Sequence, residues 1–159
     1  MITQPKYKIP QKGLKVWRIH AVFEAAILLV FVMVASVLNY LFEWTKWIYL
    51  IGVIIMIVDV FLGIYLFPKI RWNHWRYEVR EKEIEIQQGL FIVKRTLVPM
   101  VRVQHVDTTQ GPILKRYHLA SMSISTAATT HMIPALTEQE ADQLRVHISE
   151  LARVAEDDV

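Results

Sequence analysis

Two long apolar runs dominate the first half of this chain and limit how it can fold. They cover about residues 21–42 and 46–67 and are separated by a short break around Trp44. Each run has about the twenty residues that an α-helix, rising about 1.5 Å per residue, needs to cross a hydrocarbon layer of roughly 30 Å. The sequence therefore predicts a transmembrane hairpin over residues 21–67.

Two alternatives to a transmembrane hairpin are a cleaved signal peptide and a pair of helices buried in a soluble core. A signal peptide also starts with basic residues, but its apolar segment spans only about seven to fifteen residues. The first run is longer than this, and no small-x-small cleavage site precedes Glu43. A soluble core around two such helices would require a much larger protein. We therefore expect a membrane protein.

Cations cluster before the first apolar run and after the second. Five cations and no acid precede the first run: Lys6, Lys8, Lys12, Lys15 and Arg18. Only Lys46 lies in the loop. Because positively charged flanks stay in the cytoplasm, we expect a cell (inner) membrane protein with both termini inside. Residues 1–20 are then a basic cytoplasmic arm, flexible or surface-bound at first and helical from about Lys12.

One face of the second run combines small residues with an acidic one. Its members have i, i+4, i+7 and i+11 spacing: Gly52, Met56, Asp59 and Gly63. Small residues let helices approach closely, and an intramembrane polar group can hydrogen-bond to another helix. Asp59 lies too deep for its short side chain to reach water. We predict that this face contacts another protein, the alternative being packing against the chain's own first helix with a neutral Asp59.

The pattern changes after Pro68 to one typical of strands. Residues 77–79 and 83–87 alternate polar and apolar side chains, as a strand with one solvated face does, and Gln88-Gly89 supplies a turn. Further strands are predicted at Leu90–Val93, 95–98, 101–106, 122–126 and 132–136, with a short helical link over 113–118.

The last predicted element is an amphipathic helix. Thr137 and Glu140 have the spacing of a capping box. An apolar stripe follows at Ala141, Leu144, Ile148 and Leu151. Short strands followed by one such helix predict an antiparallel β-sandwich or barrel that the helix caps, so the fold class is a membrane-anchored α+β protein. This domain is expected to cover about residues 72–155.

The strand region also contains four motifs that occur together in one known family. The motifs are Ile84-x-Ile86-x-x-Gly89, Val98-Pro99-x-x-Arg102-Val103-Gln104-x-Val106, Gln110-Gly111-Pro112-x-x-Lys115-Arg116 and Ala120-Ser121-x-Ser123-Ile124-x-Thr126-Ala127. With the two preceding spans, they resemble the bacterial pleckstrin-homology-like family of membrane proteins over about Trp72 to Leu151. The chain departs from the family pattern at Ala128, where glycine is usual, and at Tyr117-His118, where an apolar-Gly pair is common.

The resemblance implies a fold, a class of partner and a setting. The fold is a seven-stranded pleckstrin-like sandwich capped by the C-terminal helix. Small members are often encoded beside a larger protein with repeated copies of the domain, which implies a membrane complex, and a homo-oligomer stays open. The family also resembles components of envelope-stress or antimicrobial-peptide-resistance gene sets. It implies no catalytic residue.

The residue pattern itself predicts no catalytic, cofactor or metal site. The six histidines are widely spaced and the chain has no cysteine. Neither a G-x-S-x-G nucleophile motif nor a glycine-rich phosphate loop is present. We therefore expect a protein that is not an enzyme, with no nucleic-acid partner and no small-molecule substrate.

The remaining candidates are cations near predicted strand ends or turns. They are Lys94, Arg95, Arg102, Lys115 and Arg116. Cations close to an anionic bilayer are attracted to its surface, so these residues are candidate lipid or partner contacts. They can equally be solvated strand edges, with Arg102 pairing with Asp107 or with a backbone carbonyl of the sandwich. The leading hypothesis is a membrane subunit that assembles with a larger partner, and the alternative is an anionic-lipid-binding module tethered at the inner membrane surface.

Overall fold

The computed structural model describes residues 4–43 and 45–157, so Trp44 in the predicted connection lies outside the described residues. The chain forms two compact units. One contains the described residues up to Val16 and those from Arg71 onward, and the other contains Trp17–Ile70. The segments that flank the two apolar runs therefore belong to the same unit.

Two long helical segments account for the apolar runs. The first is α1 (Gln11–Leu41), and the second consists of α2 (Trp47–Asp59), a π-helical stretch (Val60–Leu66) and α3 (Phe67–His74). They contain 31 and 28 residues, and by length and composition each could cross a membrane. Most of their large apolar side chains are exposed. Burial in lipid would remove this apolar surface from water.

The second helical segment continues past Pro68, beyond the point where the sequence predicts the span to end. Proline has no N–H, and in an ordinary α-helix its ring clashes with the carbonyl one turn earlier. Just before Pro68 the helix is wider, because the N–H of Phe67 donates to the carbonyl of Leu62, five residues back. This local π geometry accommodates the proline without ending the helix.

The other unit contains two antiparallel sheets. The first sheet has the order β1 (Tyr7–Lys8), β2 (Arg76–Val79), β3 (Glu83–Gln88) and β4 (Lys94–Pro99). The second has the order β5 (Val103–Thr109), β6 (Leu119–Thr126) and β7 (Thr130–Thr137). A 3-10 turn (Met100–Arg102) joins the sheets, so the strand predicted from Val101 begins at Val103. A short helix α4 (Pro112–Arg116) joins β5 to β6.

The core of this unit lies between the two sheets and helix α5 (Glu138–Asp157). Alternate strand residues are fully buried, including Ile84, Ile86, Met122, Ile124 and Ile133. From α5, Ala141 and Ile148 are buried and Leu144 and Leu151 are half-buried, as the apolar stripe predicts. The predicted antiparallel sandwich with a C-terminal helix is confirmed.

The predicted capping box is present at the start of α5. The backbone N–H of Glu140 donates to Thr137 Oγ1 at 3.2 Å, and the backbone N–H of Thr137 donates to Glu140 Oε2 at 3.1 Å. These reciprocal hydrogen bonds satisfy backbone donors that the first helical turn leaves without a partner. The strand-to-helix boundary is therefore fixed by local sequence.

The first strand comes from the segment that the sequence assigns to a flexible or surface-bound arm, so this prediction is wrong there. Tyr7 pairs with Tyr77 and Lys8 with Arg76. Ile9 is 1% exposed, and its carbonyl accepts a hydrogen bond from Trp72 Nε1 at 3.0 Å. Residues that precede proline favour extended conformations, which suits the stretch before Pro10. The described residues form the expected seven strands, but one strand has only two residues.

A second correction concerns Leu90–Val93, which form a loop and not a strand. The pairing of β3 with β4 ends at Gln88 and Lys94, so residues 89–93 connect the two strands. Gly89 has φ 152°, and a Cβ atom there would lie 2.0 Å from the carbonyl oxygen of Ile92. Only glycine fits this tight turn. The turn geometry therefore overrides the strand propensity of four consecutive apolar residues.

Candidate functional site

The predicted contact face of the second helical segment is half-buried within the hairpin. At Gly52 it faces the chain's own first helix, because a Cβ atom there would lie 3.0 Å from Val32 Cγ1. The missing side chain lets α1 and α2 approach closely. At this end of the face, the structure agrees with packing inside the hairpin, which the sequence left as the alternative.

Asp59, at the end of α2, differs from the other members of this face. In the described part of the chain, its carboxylate has no hydrogen bond or ion pair. A Cβ atom on Gly63 would lie 3.8 Å from Asp59 Oδ1, and apart from its chain neighbours and the backbone of its own helix no other described atom comes within 4 Å of that position. The carboxylate therefore borders the space that Gly63 leaves open. An acidic group without a partner is costly in an apolar span and often marks a functional contact.

Polar groups near both ends of the hairpin connect its two helices. The guanidinium carbon of Arg18 lies 5.6 Å from the centre of the Tyr65 ring, a cation–π geometry. Towards the loop, the hydroxyl of Tyr49 donates to the carbonyl of Ser36 at 3.4 Å. Neither contact is predicted by the sequence pattern. Both show that α1 and the second helical segment pack against each other as one unit.

The five candidate cations lie on three separate elements. Lys94 and Arg95 begin β4, Arg102 ends the 3-10 turn, and Lys115 and Arg116 end α4. Arg95 is half-buried, donates from Nε to Gln87 Oε1 at 2.8 Å, and lies 3.8 Å from Glu85 Oε1. The other four are exposed. Arg95 is therefore held by the sheet.

The predicted pairing of Arg102 with Asp107 is wrong, since no ion pair joins the two side chains in the described structure. Arg102 lies in the 3-10 turn, whereas Asp107 is in the middle of β5 opposite Ser123. Arg102 therefore stays an exposed cation without a structural partner among the described side chains.

A charge network that the sequence analysis missed lies on the predicted solvated face of β2 and β3. Glu78 and Glu85 are directly opposite each other and only 7% and 6% exposed. Arg80 Nη2 lies 3.2 Å from Glu78 Oε2 and 3.1 Å from Glu85 Oε2. Opposed like charges destabilise a sheet, so the guanidinium between them is required. The hydrogen bond from Arg80 lowers the pKa of Glu78, although burial acts in the opposite direction.

A small cleft lies between β1, β2 and α5. It has a volume of about 250 Å³, and its lining includes Tyr7, Tyr77, Glu140 and His147. The two tyrosine rings stack with centroids 5.8 Å apart. Burial raises the pKa of Tyr77 to about 12, with further contributions from the Glu140 carboxylate and from Tyr7. The cleft is smaller than most ligand pockets, and the packing of β1 explains its geometry.

The candidate residues have the chemistry of surfaces that bind another molecule. Within the described residues, no group of three or more His, Cys, Asp or Glu side chains could hold a metal ion. The notable groups are the unpaired carboxylate of Asp59 in an apolar helix and several exposed cations. A helical hairpin combined with a seven-stranded sandwich and a C-terminal helix defines a membrane-anchored protein with a pleckstrin-homology-like domain.

Comparison with known proteins supports this class. The sequence profile described as "Bacterial PH domain" matches residues 14–152. The chain belongs to this family, and the predicted resemblance is confirmed.

Two relatives come from Bacillus subtilis (strain 168). The chain is 52% identical over 159 residues to UPF0699 transmembrane protein YdbS, covering 100% of both proteins. It is 25% identical over 80 residues to UPF0699 transmembrane protein YdbT, covering 48% of this chain and 16% of that much longer protein. No solved structure gives a significant match. The chain is thus a membrane protein with a bacterial PH-like domain.

Proposed function

We propose that the chain is a non-enzymatic subunit that assembles in the membrane with a larger membrane protein carrying related domains. The observation that carries this proposal is Asp59, an acidic residue in an apolar helix without a partner in the described chain. Intramembrane charges are usually paired with other polar groups or line a functional path. A donor from a partner helix would stabilise the Asp59 carboxylate.

The position of the contact follows from the two glycines on this face. Gly52 is already packed against Val32 of the chain's own hairpin. Gly63 leaves space beside Asp59. The partner's polar side chain would enter at Gly63 and hydrogen-bond with Asp59. The proposed contact is therefore limited to the Asp59–Gly63 part of the predicted face, whereas Gly52 packs within the hairpin.

The relatives support the existence of a suitable partner. The same bacterium has one transmembrane protein similar to the whole chain and a longer one similar to part of it. A small and a large protein with related segments would fit the two components of one complex. Because the cations before the first apolar run should stay in the cytoplasm, both termini and the PH-like domain would face the cytoplasm. A role in envelope stress or antimicrobial-peptide resistance would be the setting that the family resemblance implies.

The test is capture of the full-length chain from native membranes in mild detergent, followed by mass spectrometry. Wild type should retain a stoichiometric larger membrane protein, and Asp59→Leu should lose it. Asp59→Asn, which keeps a hydrogen-bonding side chain, separates the need for charge from the need for a polar group. Ile57→Leu is the matched control, because Ile57 is an exposed apolar residue two positions away. A wild-type chain recovered alone, as a monomer, would contradict the proposal, and recovery of itself only in multiple copies would replace it with a homo-oligomer.

The alternative function is an anionic-lipid-binding module, and the exposed Lys94, Arg102, Lys115 and Arg116 favour it. Anionic lipid attracts each cation near the surface by about 1 kcal/mol. Arg95 is a weaker candidate for lipid contact, because its side chain contacts Gln87 and Glu85. A lone chain in the capture experiment, together with lipid binding lost on charge reversal of Lys115 and Arg116, would favour this function.

A further inference from the structure

The loop between β3 and β4 exposes an unusual amount of apolar surface. Phe91, Ile92 and Val93 are 76%, 84% and 42% exposed. Among the large apolar side chains that the structure describes, Ile92 is the most exposed, above Phe31 in the first membrane helix at 67%. We call Leu90–Val93 the apolar tip. A run of exposed apolar residues at one turn marks an interaction site.

The apolar tip is held in place by the sheet. β3 and β4 remain paired up to Gln88 and Lys94, so only five residues form the connection. Gly89 closes the turn with φ 152°, and its lack of a side chain leaves room for the carbonyl of Ile92. The tip is therefore presented by a short turn on a paired hairpin.

The chain segment that contains the apolar tip carries only positive charges. The segment from Gln87 to Arg95 contains no acidic residue. Lys94 is exposed at the base of the tip, whereas Arg95 turns back to Gln87 and Glu85. Apolar side chains next to a lysine suit the boundary between acyl chains and anionic headgroups, where the lysine stem lies on apolar surface and its ammonium stays hydrated.

We propose that the apolar tip inserts into the anionic surface of the bilayer in which the chain is anchored. A protein partner would need a pocket that matches a protruding apolar turn, whereas a bilayer needs no matching shape. The sheet is also attached directly to a membrane helix, because only Trp75 separates α3, which ends at His74, from β2, which begins at Arg76. This inference does not depend on the partner proposed for Asp59.

The chain contains no cysteine, so one introduced cysteine can carry a fluorescent probe at a single defined position. The experiment uses the full-length chain with Ile92→Cys, labelled and reconstituted in vesicles of phosphatidylcholine with or without phosphatidylglycerol. Quenchers are attached to the lipid acyl chains or dissolved in the water. The control is Ala128→Cys, which places the same probe in the exposed β6–β7 turn among hydroxyl side chains.

Insertion predicts that the probe at position 92 is quenched from the lipid phase, more strongly in vesicles with phosphatidylglycerol, and is protected from the aqueous quencher. The probe at position 128 should behave in the opposite way. Adding Phe91→Ser and Lys94→Glu to the Ile92→Cys chain should lower the inserted fraction roughly tenfold or more. Lys94 is exposed, so its charge can be reversed with little effect on the fold.

The proposal is overturned if the probe at position 92 is as accessible to the aqueous quencher as the one at position 128. It is also overturned if protection appears only when a captured membrane protein is added, because the apolar tip would then dock on protein. Loss of the Asp59 partner has no bearing on either result, so the two proposals fail separately.

Discussion

Glu78 couples the stability of the sandwich to pH through its ion pairs with Arg80 and Lys6. The pKa of its carboxylate is lowered in the folded protein, mainly by the hydrogen bond from Arg80. Because the folded-state pKa is the lower one, this group stabilises the fold above the unfolded pKa of about 4.3. The stabilisation is lost as the pH falls through the folded-state pKa. We expect the unfolding temperature of the sandwich to drop steeply in this acid range.

The measurement is thermal unfolding of the full chain in detergent, followed by tryptophan fluorescence between neutral and acid pH. Glu78→Gln cannot titrate at this position, so its unfolding temperature should depend less on pH than that of the wild type. Glu150→Gln, at an exposed position of α5, is the matched control and should follow the wild type. Identical pH dependence of wild type and Glu78→Gln would show that the network contributes nothing to acid unfolding.

Tyr77 produces the opposite dependence at alkaline pH. Its pKa is raised from 10.0 to about 12, chiefly by burial. The neutral hydroxyl therefore stabilises the folded state fully below pH 10, and this contribution is lost as the pH rises from 10 to about 12. Absorbance of the tyrosinate in the folded chain should show a late-titrating component, and Tyr77→Phe should lack it. Identical alkaline titrations of wild type and Tyr77→Phe would contradict the buried position of Tyr77.

At the scale of elements, the β3–β4 turn depends on one glycine. A Cβ atom at Gly89 would lie 2.0 Å from the carbonyl oxygen of Ile92, and φ is 152°. Gly89→Ala should therefore destabilise the sandwich by about 1–3 kcal/mol. Gly111→Ala is the matched control, because no described atom lies within 4 Å of its added Cβ. Chemical denaturation measures both, and equal effects would contradict this geometry.

The elements that the sequence predicts well are those marked by a short capping motif or by a long continuous pattern of apolar residues. α5 was fixed by the Thr137–Glu140 capping box and a stripe that ends at Leu151, and both membrane helices follow from continuous apolar runs. Two residues of β1 carry no periodic signal, since a two-residue strand is recognised only through its pairing with Tyr77 and Arg76. For Leu90–Val93, composition favours a strand, but the register of β3 with β4 decides that these residues form a loop.

The candidate site was predictable only in part, for related reasons. The spacing of Gly52 and Asp59 predicts that both lie on one face of the helix. Only three-dimensional packing shows that Gly52 contacts Val32, whereas Asp59 has no partner among the described residues. The Arg80 network was missed because alternation assigns Glu78 and Glu85 to a solvated face. Arg80, which contacts both carboxylates, lies in the turn after β2. The alternation of polar and apolar residues along a strand does not predict where a side chain in a turn will point.

At the scale of the whole molecule, the pairing of β1 with β2 constrains the path through the membrane. Tyr7 precedes the first apolar helix and Tyr77 follows the second, yet the two residues are neighbours in one sheet. Both flanks must therefore lie on the same side of any membrane that the helices cross. Two crossings satisfy this condition and one does not. A fragment that starts at Trp75 would also lack β1, so studies of the domain require the full chain.

The distribution of cations then predicts that both flanks of the helical hairpin lie on the cytoplasmic side of the membrane. Single cysteines at Gln4, Thr45 and Gln139, all exposed in this cysteine-free chain, can report sidedness in intact cells through a membrane-impermeant thiol reagent. Because the five cations before the first run should stay in the cytoplasm, only Thr45→Cys should react before the membrane is permeabilised. Reaction at positions 4 and 139 but not at 45 would invert the topology. Reaction at only one of positions 4 and 139 would contradict the pairing of β1 with β2, since residues of one sheet cannot lie on opposite sides of a bilayer.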